Sequence, residues 1–384
     1  MELRRALIFT STIALALNLT AAVYADQSAN NSGNGDSHNF SYAGFRSHGA
    51  PVATLGSQGS DNQGSDNNYG SQSDGAPTAD PTNGDLTWLQ NFAARIQHAP
   101  KGYYLPAGSP ANDPISCHLS CTTLTGTIAL IPVWVGNWSG STLNNWNNQL
   151  GNIVTSLGSS SANSVALPGH PFNTTTLYYT SQGLTPPSLQ WIPNLTITAP
   201  TATAVSDADV ATYIGNFIAA NPTIVPAGAT PVYIYIGANS TYLTSGFGYT
   251  YCGWHSYGNV ASTGTNIPFI AIQDFTSTYN KNCAPQVISP NGSASLDAMS
   301  SVMVHEVDET LTDPFFGGWF DAKGNESADK CGKTYGTTYL SGVGTSRYNV
   351  QLGSIKYLIQ QNWLENNIVT PTGTSSGVAC SVTG

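Results

Sequence analysis

The sequence predicts an α/β fold, and three observations support that prediction. Thr127–Val135 is a run of β-forming residues, and Asn144–Leu157 follows it with apolar residues at helical steps. Asp207–Ala220 has the same helical spacing behind a Ser206 cap, and Pro231–Gly237 is again typical of a strand. Strands that alternate with helices indicate a layered α/β domain.

Further segments extend this pattern into a mixed sheet. Thr174–Thr180, Leu189–Thr198 and Ile267–Gln273 are rich in β-forming residues, so each is predicted to be a strand. Alternating residues between Arg347 and Ile368 predict further short strands near the carboxyl end.

One helix is predicted to lie at the centre of the domain, over Ser293–Asp313. Its apolar residues recur at steps of three and four along one face. Val302 and Val304 widen the apolar surface, so the helix is expected to be buried on most sides. Pro314 is expected to end it.

This helix carries the sequence His-Glu-x-x-Glu. His305 and Glu309 lie one turn apart on the same face and can chelate a metal. The motif differs from the His-Glu-x-x-His zinc helix only in its last residue, and zinc also accepts carboxylate oxygen. Glu326 is the predicted third ligand, with Asp329 orienting a ligand from behind. Glu306 is then the predicted general base on the activated water.

Scarcity of charge strengthens this hypothesis. Only 8% of all residues are charged, yet seven acids lie between Glu306 and Asp329. Asp313 and Asp321 remain alternative ligands. The alternative interpretation is a structural helix, in which the histidine and acids are held by hydrogen bonds to the backbone and to basic partners.

Tyr251–Tyr257 is predicted to be a loop, because a cysteine, aromatic residues and a histidine follow one another beside glycine. His255 is therefore a candidate catalytic residue, as an electrophile or substrate contact in a cleft. The alternative is a partly buried histidine that hydrogen-bonds a backbone carbonyl.

The amino terminus predicts export. Residues 1–25 place Arg4 and Arg5 before an apolar run and small residues, as in a secretory signal peptide. Residues 26–84 are rich in Ser, Asn and Gly and are expected to form a disordered linker. Residues 85–384 are expected to form one globular domain.

Six cysteines follow the signal, and an even number in an exported chain predicts disulfides. Their pairing stays open, with Cys252–Cys283 as the preferred pair. The cysteines are Cys117, Cys121, Cys252, Cys283, Cys331 and Cys380. Eight sequons predict an N-glycosylated surface, at Asn30, Asn39, Asn137, Asn173, Asn194, Asn239, Asn291 and Asn325.

Charge and hydropathy limit the partners. The net charge is −10 with only 11 basic residues, so we expect no nucleic-acid partner. After the signal no apolar run is long enough to predict membrane insertion. The expected partner is a peptide or a cell-wall component.

Short motifs from about Leu124 onward carry a family resemblance. They are Val133–Trp138, Cys252–His255, Pro290–Gly292, the His-Glu-x-x-Glu helix with Thr312–Pro314, Gly318–Phe320, Glu326–Cys331, Tyr348–Asn349 and Gln361–Trp363. Through them the chain resembles the Exordium family of secreted plant and algal proteins, also called phosphate-induced protein 1. The resemblance implies an extracellular, cell-wall-associated protein linked to growth and nutrient responses.

The order of the candidate ligands resembles that of zincin metallopeptidases, in which a helical motif is followed by a further glutamate. This resemblance implies a zincin-like mixed sheet around the helix and zinc as cofactor. Two hypotheses follow. One is a metal-dependent hydrolase of peptide or wall polymer, and the other is a non-catalytic wall-associated signalling or binding protein.

Overall fold

The computed structural model describes most of the predicted globular domain. The described residues are 115–117, 121–158, 164–244, 247–248, 251–260, 265–275, 283–321, 325–364 and 379–383, with the backbone strand of Phe40–Ser47. The predicted signal peptide, residues 1–25, lies outside them, as does the predicted linker, residues 26–84, apart from that strand. Among these residues no helix has the length and apolar character needed to cross a membrane.

A mixed seven-stranded sheet forms the framework of the domain. In chain order its strands are β1 (Phe40–Ser47), β3 (Thr127–Val135), β4 (Ser188–Trp191), β5 (Ile197–Thr198), β7 (Ala229–Gly237), β9 (Trp254–Val260) and β10 (Thr265–Gln273). Three short strands lie outside this sheet: β2 (Ser116–Cys117), β6 (Ala204–Val205) and β8 (Tyr242–Leu243). The spatial order is β1-β9-β10-β7-β3-β4, with β5 also beside β3. β10, β7, β3 and β4 run parallel, whereas β9 is antiparallel to both β10 and β1. The predicted α/β class is confirmed.

The three central strands form the apolar core. β3, β7 and β10 are buried along continuous runs, without the alternation of a half-exposed strand. Parallel strands are covered on both faces, which explains why their sequences are almost entirely apolar.

The described residues form four α-helices. These are α1 (Gly140–Thr155), α2 (Thr176–Thr180), α3 (Asp207–Ala220) and α4 (Ala294–Thr312). α1 begins earlier than predicted because Ser139 accepts a hydrogen bond from the Thr142 backbone. α3 has the predicted bounds, and Ser206 and Asp209 form its capping box.

The predicted strand over Thr174–Thr180 is wrong. Pro171–Thr175 forms a 3₁₀-helix that continues into α2. The hydroxyls of Thr174 and Thr175 donate to carbonyls three residues earlier, and the Tyr179 hydroxyl donates to Leu124 and Leu311. These contacts outweigh the β-propensity of threonine and tyrosine.

Two other predictions need correction. Leu189–Thr198 is not one strand, because an Asn194 turn, in which the side-chain oxygen accepts from the Thr196 backbone at 3.0 Å, separates β4 from β5. Tyr251–Tyr257 is not a loop throughout, since β9 begins at Trp254 and pairs with β10. His255 therefore lies in a strand.

α4 is the predicted central helix. Ser293 caps it by accepting from the Leu296 backbone, and it ends before Pro314. It packs against β9, β10 and α1. Nearly all of its residues are buried, polar ones included, as expected from its apolar surface on most sides.

Short strand pairs and disulfides complete the carboxyl-terminal part. β11 (Trp319–Phe320) pairs with β2, and the later pairs are β12 (Tyr339–Leu340) with β13 (Arg347–Tyr348), β14 (Val350–Leu352) with β15 (Ile355–Tyr357), and β16 (Asn362–Leu364) with β17 (Ala379–Ser381). The six cysteines form the disulfides Cys117–Cys121, Cys252–Cys283 and Cys331–Cys380. The preferred pair, Cys252–Cys283, is therefore present.

Candidate metal centre

α4 supplies the first two candidate ligands. His305 Nε2 lies 3.2 Å from Glu309 Oε1, one helical turn further along. Both side chains are buried in the interior of the domain. The helical spacing thus brings together the two residues that the sequence paired.

β9 supplies a second histidine that sequence reasoning did not count among the ligands. His255 Nε2 lies 3.1 Å from Glu326 Oε2 and 3.9 Å from Glu309 Oε2. Gly253, His255 and Tyr257 alternate along the chain and face α4 and the segment after it, as residues two apart on a strand do. Residues on both faces of this stretch are buried, so the sequence shows no alternation of polar and apolar residues that identifies the strand.

The segment after α4 closes the cluster. Asp329 accepts the Glu326 backbone hydrogen bond at 3.2 Å, and its own backbone N–H donates to Glu309 Oε1 at 3.1 Å. Asp329 Oδ1 is 3.8 Å from His305 Nε2. The short 3₁₀-helix Asp329–Cys331 and the Cys331–Cys380 disulfide anchor this segment.

These side chains form two overlapping groups that could hold a metal ion, both containing Glu309. His255, Glu309 and Glu326 form one group, and all three are buried. His305, Glu309 and Asp329 form the other. The predicted ligands His305 and Glu326 thus belong to different candidate metal groups.

Glu306 is buried beside these groups. Its side chain packs against Gly253, the residue before β9, where a Cβ would lie only 2.9 Å from Glu306 Oε1. A side chain at position 253 would therefore force Glu306 or Val302 to shift.

Gln360 contacts the cluster from the carboxyl-terminal part and was not predicted. Its Nε2 lies 2.7 Å from His305 Nδ1 and donates to the Ala328 carbonyl at 2.9 Å. Its Oε1 accepts from the Lys333 backbone at 3.1 Å. A glutamine far along the chain carries no sequence signal for this role.

The alternative ligands Asp313 and Asp321 have structural contacts. Asp313 accepts from the Gly318 backbone at 2.7 Å. Asp321 accepts from Asn325 and lies 3.1 Å from the Lys330 ammonium. Neither belongs to a candidate metal group among the residues that the structure describes.

Burial dominates the electrostatics on the far side of α4. It raises the pKa of Asp308 well above its ordinary value, and the nearby Glu309 charge raises it further. Asp308 accepts hydrogen bonds from Thr174 and Asn362. Burial likewise raises the pKa of Tyr179, with Asp308 as a further cause.

Aromatic rings cover the His255 side of the cluster. The His255 and Phe316 rings meet edge to face at 5.7 Å, and Tyr257 contacts both Phe315 and Phe316. Phe316 has a φ of 61°, a left-handed conformation that bulky residues rarely adopt. Such outliers cluster at functional sites.

Comparison with known proteins identifies the family. A model of the phosphate-induced protein 1 conserved region matches residues 118–363. The chain belongs to the phosphate-induced protein 1 family. This match confirms the resemblance to Exordium proteins, and it spans α4 and every side chain of the candidate centre.

One curated relative is Protein EXORDIUM-like 3 of Arabidopsis thaliana. It is 27% identical over 163 residues, which cover 36% of this chain and 48% of the relative. The chain thus spans about half the length of that relative. No solved structure matches.

Proposed function

We propose that this family member is a secreted metal-dependent hydrolase. The observation that carries the proposal is the convergence of His255 and His305 on Glu309, inside a buried cluster that also contains Glu326 and Asp329. Burying several carboxylates costs much free energy unless cations or hydrogen bonds compensate them. A divalent metal supplies that compensation.

The donor set fits zinc. Imidazole nitrogen and carboxylate oxygen are both zinc ligands, and each group offers one nitrogen and two oxygens. Three protein ligands are the number typical of catalytic zinc sites. A zinc ion held there would act as a Lewis acid and lower the pKa of water in the site.

The side chains around the ligands have separate roles in this proposal. Glu306, which belongs to neither metal group, takes a proton from the attacking water. The rings of Phe316 and Tyr257 limit the access of bulk water to the His255 side.

An extended peptide is the proposed substrate class, in preference to a wall polymer. β1, from the amino-terminal part of the same chain, pairs antiparallel with β9. In that register Arg46 is opposite His255. This edge of β9 thus holds an extended main chain beside the candidate centre, and the substrate peptide is proposed to take the place of β1 there, as in strand addition.

We also propose that the protein is exported and N-glycosylated. Three disulfides are compatible with an extracellular protein. Asn137 and Asn239 are exposed sequons, whereas the Asn325 amide donates to Asp321 inside the domain. Glycans are therefore expected at Asn137 and Asn239 and not at Asn325.

Glu306→Gln tests the hydrolase. Zinc content and cleavage of the peptide FSYAGFRS, the sequence of β1, are measured for the purified full chain and the variant. The parent is expected to bind zinc and cleave the peptide, and the variant to keep zinc and lose about 100-fold or more in kcat.

Asp297→Asn is the matched control, since Asp297 is a buried acid on the same helix and outside both metal groups. It is expected to retain both zinc and peptide cleavage. Equal cleavage by parent and Glu306→Gln, or a parent without zinc, would favour the non-catalytic wall-associated protein.

A further inference from the structure

We infer that the metal binds on the His255 side of Glu309, with His255, Glu309 and Glu326 as ligands. His305 is then a positioning residue, which lies beside Glu309 with its Nε2 3.2 Å from Oε1 and does not bind the metal. This inference rests on the proposed metal centre and names its ligands. It differs from the usual assignment of a His-Glu helix, in which the helical histidine is a ligand.

The amide of Gln360 has a defined orientation. Its Oε1 accepts from the Lys333 backbone N–H at 3.1 Å, and its Nε2 donates to the Ala328 carbonyl at 2.9 Å. Exchanging the two ends would place a donor against a donor and an acceptor against an acceptor. The NH₂ end therefore points towards His305.

This orientation determines the tautomer of His305. Gln360 Nε2 lies 2.7 Å from His305 Nδ1, so Nδ1 must accept the hydrogen bond. In the neutral ring the hydrogen then sits on Nε2, which is 3.2 Å from Glu309 Oε1. His305 thus presents an N–H, and not a lone pair, on the side of that carboxylate.

Metal coordination through His305 Nε2 is incompatible with this arrangement. It would move the hydrogen to Nδ1, where it would face the Gln360 NH₂ group. A histidine that binds a metal usually donates its other ring N–H to a carbonyl or carboxylate oxygen. Gln360 offers neither in the orientation that Ala328 and Lys333 impose.

The two carboxylate oxygens of Glu309 face different sides of the cluster. Its Oε1 receives the Asp329 backbone N–H at 3.1 Å and faces His305 Nε2. Its Oε2 faces His255 Nε2 at 3.9 Å. Oε1 is thus engaged on the His305 side, and Oε2 lies towards His255.

The spacing on the His255 side suits a tetrahedral ion. His255 Nε2 is 3.1 Å from Glu326 Oε2 and 3.9 Å from Glu309 Oε2. Ligands at the usual zinc distances lie about 3.4 Å apart in a tetrahedron, so small adjustments suffice. His255, Glu309 and Glu326 are also each 1% exposed or less.

A matched pair of variants tests the assignment. Zinc per chain and zinc affinity are measured, by elemental analysis and chelator competition, for the full chain, His255→Gln and His305→Gln. His255→Gln is expected to lose zinc, with affinity at least about 100-fold weaker. His305→Gln is expected to keep one zinc per chain, with affinity about 10-fold weaker.

The tautomer gives a readout that does not depend on the metal. Long-range ¹H–¹⁵N spectra of the parent are expected to show His305 protonated at Nε2, with and without zinc. Gln360→Glu, which puts a carboxylate beside Nδ1, is expected to move the hydrogen to Nδ1. Gln360→Met, which removes both polar ends, controls for loss of packing.

The outcomes separate this inference from the proposed function. Zinc in the parent that is lost in His305→Gln but kept in His255→Gln overturns the ligand set and leaves the hydrolase intact. Two zinc ions per chain, or a His305 protonated at Nδ1, also overturn it. A parent that binds no zinc overturns both proposals. If His255→Gln does not fold, Glu326→Gln tests the same side.

Discussion

Two helices of this domain bury very different side chains. α3 contacts β3 and β7 through apolar residues such as Val210, Ile214 and Phe217. α4 contacts β9 and β10 and buries His305, Glu306 and Glu309 along with its apolar residues. Apolar burial stabilises a fold, whereas burial of charge costs free energy unless it is compensated. The comparison indicates that α3 serves stability, whereas α4 carries the side chains of the candidate metal centre.

The largest expected effect on stability lies in α3. Ile214→Ala removes a fully buried side chain and leaves a cavity, so the free energy of unfolding should fall by about 2–5 kcal/mol. Urea unfolding measures this change, and peptide cleavage per folded molecule should stay at the parent level.

Thr212→Ala, at an exposed position of the same helix, is the control and should change stability by about 0.5 kcal/mol or less. A loss of cleavage by folded Ile214→Ala would show that packing of α3 also affects the candidate centre on α4.

A buried histidine outside the candidate metal centre, His170, sharpens the comparison. Burial in the interior lowers the pKa of His170 from 6.5 to about 4, although the contact of its Nε2 with the Ile153 carbonyl at 2.8 Å opposes part of that shift. The unfolded chain therefore binds a proton at a higher pH than the folded chain. The contribution of His170 to the free energy of unfolding is therefore fully present above pH 6.5. It is lost as the pH falls towards 4, by up to roughly 3 kcal/mol.

Unfolding free energies at pH 7.5 and 4.5 check this prediction. His170→Gln should lose less stability between the two values than the parent does. An equal loss in parent and variant would assign the pH dependence to other groups.

The smallest expected effect lies where β9 meets α4. Gly253→Ala introduces a Cβ that would lie 2.9 Å from Glu306 Oε1 and still closer to Val302, so stability should fall by about 1–3 kcal/mol. Cleavage should fall too, because Glu306 is displaced. Both are measured on the purified variant.

Gly140→Ala is the matched control. No atom lies within 4 Å of a Cβ at Gly140, and alanine favours a helix, so stability should stay equal or rise by up to about 1 kcal/mol. Unchanged cleavage by Gly253→Ala would contradict the expected displacement of Glu306.

Local patterns in the sequence predicted the framework well. The bounds of β3 and α3, the cap Ser206, and the end of α4 at Pro314 follow from side-chain periodicity and from nearby residues. The Thr174–Thr180 segment was mispredicted, because its conformation depends on hydrogen bonds to residues distant in sequence.

The sequence by itself determined the α/β class, the family, and the pairing of His305 with Glu309, since a helix sets residues four apart on one face. Only the tertiary structure decided which groups meet Glu309. β9 brings His255 to it, and Gln360 meets His305 across 55 residues of chain. Such contacts depend on how strands and segments pack in space, which no local pattern encodes.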